Sequence, residues 1–314
     1  MNIWQHPNMQ RDAIERSSGI GYREFYQSYT KASRPIIMTD AIKNWPAIEK
    51  WSLDYFRSHA GQQTVRGEDG SEQSLAQCID LMLASTKDNP GPYIPSLRFH
   101  ENWPELYNDI LPTPNYWGPN WLYSPWLMPG LSSHPLRRIA GIEINLSGPN
   151  STFPEGIHYD DLMTQTFVAQ VHGTKELILF SPEQTKLIYA KILNKRVDTF
   201  SQSEIPVDTD FDIADFPLTS ELMPIQAILQ PGEMLCTPPG WWHCVRALEP
   251  SIAVVTSVAN QIIWPRVRRA VIDSSRIRHQ RWNAPIATAV YAIYMTVFGW
   301  IRSASDRIRY REMH

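Results

Sequence analysis

The stretch Gly232-Glu-Met-Leu-Cys-Thr-Pro-Pro-Gly-Trp-Trp-His243 contains a short apolar run, a tight turn and a histidine beside two tryptophans. The apolar run is typical of a buried strand, and Pro-Pro-Gly is typical of a turn between strands. A strand that leaves such a turn can direct His243 back toward the mouth of a β-barrel. The stretch therefore predicts a β fold with a functional site beside this turn.

Short runs rich in β-branched residues lie on both sides of this stretch. They cover residues 139–146, 165–171, 176–180 and 251–258, and turns with Gly and Pro separate several of them. Such spacing predicts a β-sandwich or a barrel. Before and after these runs the apolar residues follow a helical period, so we expect a mainly β protein with flanking helices.

The composition changes twice along the chain, which predicts three segments. Residues 1–135 hold N-terminal helices, strands and an aromatic-rich part, residues 136–262 hold the β core, and residues 263–314 form a helical C-terminal extension. Within the first segment, the aromatic residues 116–126 either line a substrate site or cap the core. The sequence leaves both interpretations open.

The overall composition restricts the function classes. The 314 residues include 29 Lys and Arg against 32 Asp and Glu, and this balance argues against nucleic acid as the main partner. Three cysteines (Cys78, Cys236, Cys244) without a CxxC pair exclude a disulfide scaffold and a Cys-rich zinc module. The first residues lack the pattern of a secretory signal, so we expect a cytoplasmic protein.

Residues 284–301 contain no charged side chain, and arginines flank them on both sides. Their number approaches that of a membrane-spanning helix. However, Pro285, Gly299 and the moderate hydrophobicity favour a helix buried in a dimer interface or against the core, over attachment to a membrane or a true span. We therefore expect a homodimer formed through C-terminal helices, and no membrane partner.

Candidate metal ligands stand in two of the predicted strands. In His158-Tyr159-Asp160, the first and third residues point to one face of an extended strand, about 6 to 7 Å apart. An imidazole and a carboxylate on one face can hold one metal ion, and His243 supplies a second imidazole. Two His and one carboxylate are the facial triad of non-haem Fe(II) oxygenases, although structural histidines are the alternative interpretation.

Lys175 follows Gly173-Thr174 and begins the apolar run 176–180. A lysine buried in a barrel wall needs an anionic partner, and the distal carboxylate of 2-oxoglutarate is a suitable one. The alternative is a lysine exposed to solvent at the end of a strand.

In this order the motifs resemble the cupin-like Jumonji-C family of Fe(II)- and 2-oxoglutarate-dependent oxygenases, of the type of the asparaginyl hydroxylase that acts on hypoxia-inducible factor. The resemblance spans roughly residues 20–262. It rests on His158-Tyr-Asp-Asp, Gln170-Val-His-Gly-Thr-Lys-Glu-Leu-Ile-Leu-Phe-Ser-Pro182, Pro239-Gly-Trp-Trp-His243 and the N-terminal phrases Arg34-Pro-Ile-Ile and Ala41-Ile-Lys-Asn-Trp-Pro-Ala. It implies a double-stranded β-helix, the jelly-roll or cupin core.

The resemblance also implies roles for individual residues. His158, Asp160 and His243 would hold Fe(II), with 2-oxoglutarate and O2 as cosubstrates. Lys175 would pair with the distal carboxylate of 2-oxoglutarate and Tyr93 would support the same carboxylate.

The chain departs from the family pattern at three places. It carries two extra residues within 162–166, and it has Glu155 where a Thr is common. It also has Thr166 where an Asn is common, and we take Thr166 as a third candidate for binding the cosubstrate, with Lys175 and Tyr93. These departures concern cosubstrate binding and the substrate mouth more than the iron site.

The resulting prediction is a dioxygenase that hydroxylates an unactivated C–H of a peptide or protein side chain, or of a small natural product. One alternative is a non-catalytic cupin-type binding protein. Another is a metal-dependent cupin enzyme that does not use 2-oxoglutarate. The complete triad with Lys175 argues against the first, and the presence of only two His with one Asp argues against the second.

Overall fold

The computed structural model describes residues 1–66, 71–86, 88–98, 102–122, 124, 141–191, 201–270 and 284–309. The strands in these residues are β1 (Glu15–Ser17), β2 (Ile36–Met38), β3 (Thr64–Arg66), β4 (Glu72–Ser74), β5 (Tyr93–Arg98), β6 (Ile142–Ser147), β7 (His158–Tyr159), β8 (Gln165–His172), β9 (Lys175–Phe180), β10 (Ala190–Lys191), β11 (Ser201–Ser203), β12 (Ile225–Leu229), β13 (Met234–Thr237), β14 (Trp242–Ala247) and β15 (Ser251–Val258).

The strands form two large sheets. The major sheet has the order β1-β2-β13-β8-β15-β6-β5, the minor sheet has the order β10-β11-β7-β14-β9-β12, and β3 pairs with β4 in a separate hairpin. From β6 to β9 and again from β12 to β15, strands that follow one another along the chain alternate between the sheets. This alternation is the double-stranded β-helix, so the predicted mainly β fold with a jelly-roll core is confirmed.

The space between the sheets is filled by apolar side chains from both. Val168 and Leu235 of the major sheet pack with Leu177, Leu179 and Val245 of the minor sheet. Residues that alternate with these along the strands face outward, as the two-residue period of a strand requires. Inward positions near the ends of the strands are therefore where polar site residues can enter the barrel.

Helices cover the outer face of the major sheet. They are α1 (Tyr22–Phe25), α2 (Ala47–Lys50), α3 (Leu53–Ala60) and α4 (Leu75–Leu83), and a long helix α5 (Ala284–Arg309) follows the core. Ser52 caps α3 by accepting a hydrogen bond from the backbone of Tyr55, and Ser74 with Gln77 forms a capping box on α4. Phe56 and Ile79 pack these helices on the sheet.

Helix α5 packs on the end of the core. Met295 and Phe298 are buried against Trp121 and Trp264. At Gly299 a Cβ would lie 2.6 Å from Nε1 of Trp264, so this close approach requires a glycine. In the part of the chain that the structure describes, no helix combines the length and the apolarity needed to cross a membrane.

The aromatic stretch 116–126 packs inward over its described part. Trp117 lies edge-to-face on Trp45, and the indole of Trp121 donates a 2.6 Å hydrogen bond to Asp306 of α5. Both tryptophans are buried. These residues therefore cap the core rather than line a substrate site, while Tyr123, Pro125 and Trp126 lie outside the described residues.

The predicted division into segments 1–135, 136–262 and 263–314 remains a prediction. The major sheet takes β1, β2 and β5 from the first of these segments, because β2 pairs with β13 and β5 pairs with β6. Four of the ten arginines that flank residues 284–301 lie outside the described residues, namely Arg276, Arg278, Arg281 and Arg311.

Candidate metal centre

The two candidate histidine ligands lie opposite one another on neighbouring strands. His158 of β7 pairs with His243 of β14 in antiparallel register, and their ring centroids are 4.4 Å apart. Asp160 follows β7 directly. The His-x-Asp spacing and the strand after the Pro-Pro-Gly turn therefore bring three side chains to the same end of the minor sheet.

Backbone carbonyls fix both imidazole rings. Nδ1 of His158 lies 2.9 Å from the carbonyl oxygen of Gly156, and Nδ1 of His243 lies 3.2 Å from that of Trp241. Because a carbonyl only accepts, each Nδ1 carries the proton and each Nε2 presents its lone pair. The two carbonyls therefore fix the orientation of the rings, as hydrogen-bond partners of metal-binding histidines usually do.

The three donors form a compact set. One ligand atom each from His158, Asp160 and His243 lies within 4.8 Å of the others, and within the described ranges no other group of three or more potential ligands is found. Nε2 of His243 is 4.0 Å from Oδ2 of Asp160. Two imidazole nitrogens and one carboxylate oxygen suit Fe(II) and leave coordination positions for other ligands.

Burial lowers the pKa of His158 well below its ordinary value, and the adjacent His243 lowers it further. The neutral imidazole is therefore the favoured form near neutral pH. It is also the form that binds a metal ion.

Lys175 lies inside the barrel. It is 1% exposed, and its Nζ donates a 2.7 Å hydrogen bond to the hydroxyl of Tyr93. Among the described residues no carboxylate pairs with it, and burial lowers its pKa to about 7. A buried ammonium with one neutral partner fits a ligand that carries a carboxylate.

Phe153 connects this pair to the metal ligands. Its ring stacks on His158 with centroids 5.0 Å apart and contacts Tyr93 edge-on at 5.4 Å. Lys175, Tyr93 and His158 therefore lie along one side of the same interior space. Sequence reasoning missed Phe153, because an aromatic residue five positions before a ligand carries no signal by itself.

Thr166 is buried on β8, and its Oγ1 lies 3.1 Å from Oγ of Ser257 on β15. The pair shares the inward face of the major sheet with Val168. Sequence reasoning missed Ser257, since only the sheet register places it beside Thr166.

The two extra residues predicted within 162–166 remain a prediction, but the backbone of this segment is unusual. Leu162 and Met163 both adopt positive φ, 56° and 53°, in the short turn that joins Asp160 to β8. Two consecutive residues with side chains rarely adopt this conformation. The turn thus has an unusual backbone where the chain passes from β7 of the minor sheet to β8 of the major sheet.

Comparisons with known proteins agree with this geometry. The family model of the cupin-like domain matches residues 22–256. The chain is 28% identical over 245 residues to lysine-specific demethylase 8 of Xenopus tropicalis, with 73% of this chain and 49% of that protein covered. It is 29% identical over 245 residues to Jumonji C domain-containing protein 5 of Drosophila melanogaster, with 74% and 56% covered.

A third relative is arginine-specific demethylase JMJ22 of Arabidopsis thaliana. It is 26% identical over 257 residues, with 81% of this chain and 47% of that protein covered. The chain thus spans about half the length of these relatives.

Proposed function

Since the chain belongs to the cupin-like domain family, in its Jumonji-C branch, we propose that it is an Fe(II)- and 2-oxoglutarate-dependent dioxygenase acting on a protein side chain. The observation that carries the proposal is the compact set of His158, Asp160 and His243 together with the buried Lys175. The first supplies an iron site and the second supplies a partner for the distal carboxylate of the cosubstrate.

The reaction converts 2-oxoglutarate, O2 and a substrate C–H into succinate, CO2 and the corresponding alcohol. Iron, when bound, supplies the oxidative chemistry. His158 and His243 would hold it through Nε2, because both Nδ1 atoms are engaged with carbonyls. Asp160 would supply the third ligand and neutralise part of the metal charge.

The other residues bind and orient the cosubstrate. Lys175 in its protonated form donates to the distal carboxylate, and the hydroxyl of Tyr93 lies within reach of the same group. Phe153 lies between this carboxylate site and His158 and excludes water from that wall. Thr166 and Ser257 offer hydroxyls on the facing sheet.

We favour a protein or peptide substrate over a small natural product. Two of the relatives are named as lysine-specific and arginine-specific demethylases, which supports a basic side chain or its N-methyl group as the oxidised position. Hydroxylation of an N-methyl carbon gives a hemiaminal that releases formaldehyde, so hydroxylation and demethylation are two outcomes of one reaction.

The test is production of succinate by the purified chain with Fe(II) and 2-oxoglutarate, comparing the wild type with Asp160→Ala and Lys175→Met. We expect turnover in the wild type, none in the first variant, and a large loss of 2-oxoglutarate affinity in the second. If the wild type binds neither metal nor 2-oxoglutarate, the alternative of a non-catalytic binding protein is supported. Metal binding without 2-oxoglutarate binding would indicate the other type of cupin enzyme.

The substrate is then sought with peptides that carry lysine or arginine, each unmodified and N-methylated. Mass spectrometry separates the outcomes, because hydroxylation adds one oxygen atom whereas demethylation removes a methyl group. If no peptide is modified while small-molecule candidates are, the preference for a protein substrate is wrong.

We also propose that the protein works in the cytoplasm and as a homodimer through α5. All three cysteines are unpaired and buried, which suits a compartment that keeps thiols reduced. Helix α5 exposes a row of large apolar side chains, namely Ile293, Tyr294, Val297, Trp300 and Ile301. A second copy of this helix would cover them.

A further inference from the structure

A second carboxylate lies beside the metal ligands. Oε2 of Glu155 is 3.9 Å from Nε2 of His158. This distance matches the 4.0 Å that separates Oδ2 of Asp160 from Nε2 of His243. Because Nδ1 of His158 contacts the carbonyl of Gly156, the carboxylate of Glu155 approaches the nitrogen that would bind the metal.

The local backbone holds Glu155 at this position. The amide of Gly156 donates a 3.0 Å hydrogen bond to the carbonyl of Phe153, which closes a turn over Pro154 and Glu155. Gly156 has a φ of 61°, and a Cβ there would meet only Val207 at an ordinary contact distance of 3.8 Å, so glycine is needed for the conformation and not for clearance. The turn therefore directs the side chain of Glu155 toward the imidazole of His158, three residues later.

Glu155 differs from the other three ligand candidates in its environment. Its side chain is 42% exposed, whereas that of His158 is 5% exposed. It also lies outside the compact set formed by His158, Asp160 and His243. A carboxylate at the rim is hydrated when it withdraws from a metal ion, unlike a buried ligand.

We propose that Glu155 is an additional, displaceable carboxylate ligand of the metal, which holds it when 2-oxoglutarate is absent and withdraws when 2-oxoglutarate binds. This inference rests on the proposed metal site. Two His and one Asp leave three of six positions open on an octahedral ion. Glu155 approaches His158 but lies outside the compact set, so its side chain would have to rotate toward the metal to occupy one of these positions. There it would compete with water and with the keto acid.

The net charge at the metal indicates how Glu155 affects 2-oxoglutarate binding. A divalent ion with Asp160 alone presents one net positive charge to the cosubstrate, whereas the same ion with Glu155 also bound presents none. 2-Oxoglutarate is a dianion, so Glu155 opposes its binding by electrostatic repulsion and by occupying a position. The carboxylate thus strengthens metal retention in the resting protein and weakens 2-oxoglutarate binding.

The experiment is a titration of the full chain with Mn(II), with and without saturating 2-oxoglutarate. Electron paramagnetic resonance measures the concentration of unbound Mn(II) at each point. Glu155→Gln removes the charge and keeps the size. Glu105→Gln is the matched control, because Glu105 is also a partly exposed glutamate beside a histidine, at 2.9 Å from His59. Asp160→Ala tests the metal site itself, and circular dichroism verifies folding.

Without 2-oxoglutarate we expect Glu155→Gln to weaken Mn(II) binding about tenfold, the scale of carboxylates that support a metal site. With 2-oxoglutarate the difference disappears. The affinity of the Mn(II)-loaded protein for 2-oxoglutarate then rises by the same factor of about ten, relative to that of the metal-free protein, because the coupling between two ligands is reciprocal. Glu105→Gln changes neither quantity. Glu155→Asp, which shortens the reach, gives an intermediate loss of Mn(II) affinity.

Three results would overturn the proposal, and each is distinct. Equal Mn(II) affinity in Glu155→Gln and Glu105→Gln would show that Glu155 does not bind the metal, without affecting the proposed role of His158, Asp160 and His243. An equal loss with and without 2-oxoglutarate makes Glu155 a permanent ligand rather than a displaceable one. Wild-type binding no tighter than that of Asp160→Ala refutes the proposed metal site, and this inference with it.

Discussion

The ammonium of Lys175 donates a 2.7 Å hydrogen bond to the hydroxyl of Tyr93, and both residues are buried within the β-helix. The cation also lies 4.6 Å from the centre of the Tyr93 ring. Lys175 begins β9 of the minor sheet, while Tyr93 begins β5 at the edge of the major sheet. The pair therefore joins the two sheets across the interior, and it makes the protonation of Lys175 decisive for binding a carboxylate.

The first prediction is a pH dependence of 2-oxoglutarate binding. Burial lowers the pKa of Lys175 to about 7, and a bound carboxylate favours the protonated form, so binding takes up a proton above that pH. The dissociation constant should therefore rise about fivefold between pH 7 and pH 8, approaching tenfold per pH unit beyond. Isothermal titration calorimetry in two buffers of different ionisation enthalpy measures both the affinity and the proton uptake.

Lys175→Arg is the control for this dependence. Arginine stays protonated across the range, so the variant should lose the pH slope whatever its absolute affinity. A wild-type slope no steeper than that of the arginine variant would mean that Lys175 does not titrate in this window.

The second prediction concerns the phenol. Burial raises the pKa of Tyr93, so its hydroxyl remains protonated and can donate to a ligand while it accepts from Lys175. Tyr93→Phe should weaken 2-oxoglutarate binding about tenfold, because one hydrogen bond to charged groups is lost. Mn(II) affinity should not change, since Tyr93 does not contact the metal ligands directly.

Tyr107→Phe is the matched control for the loss of a hydroxyl, because Tyr107 packs on the N-terminal core away from the metal ligands. Equal 2-oxoglutarate affinity in the two variants would show that Tyr93 only packs in the interior.

The triad was predictable from sequence for a simple physical reason. His158 and Asp160 are two residues apart, and a strand places such residues on one face whatever its partners. The turn Pro238-Pro239-Gly240 similarly fixes the start of β14, so His243 has little freedom. Local spacing therefore carried most of the information on the site.

Features that the spacing of residues within one strand does not determine were not predictable in the same way. Ser257 meets Thr166 only through the pairing of β8 with β15. Glu155 is only three residues from His158, but their approach depends on a turn whose closure the sequence does not reveal. Tyr93 was assigned to the site only through the family resemblance, because the sequence around it contains no motif that indicates a binding role. Likewise, β1 and β2 are three residues each, too short to show a period.

The third prediction concerns the oligomer. Ile293, Val297, Trp300 and Ile301 follow the spacing of one helix face, and Trp300 is 72% exposed. A chain carrying both Ile293→Glu and Trp300→Glu should be monomeric where the wild type is a dimer at micromolar concentration, as measured by light scattering after size exclusion. Leu218→Glu, at another exposed apolar position, should leave the dimer intact.

A wild type that stays monomeric at these concentrations would contradict the proposed dimer. Co-sedimentation of the wild type with lipid vesicles, abolished in the double variant, would instead assign the row of α5 to a membrane surface.

The fourth prediction concerns the docking of α5. The indole of Trp121 donates a 2.6 Å hydrogen bond to the buried carboxyl of Asp306, whereas the indole of Trp45 donates 2.9 Å to the backbone carbonyl of Pro112. Losing a hydrogen bond to a buried carboxyl group costs more than losing one to a carbonyl, so Trp121→Phe should lower the free energy of unfolding by about 2 kcal/mol and Trp45→Phe by about 1 kcal/mol. Urea unfolding of both variants measures this difference. Equal losses in the two phenylalanine variants would show that the Trp121–Asp306 contact does not hold α5 on the core.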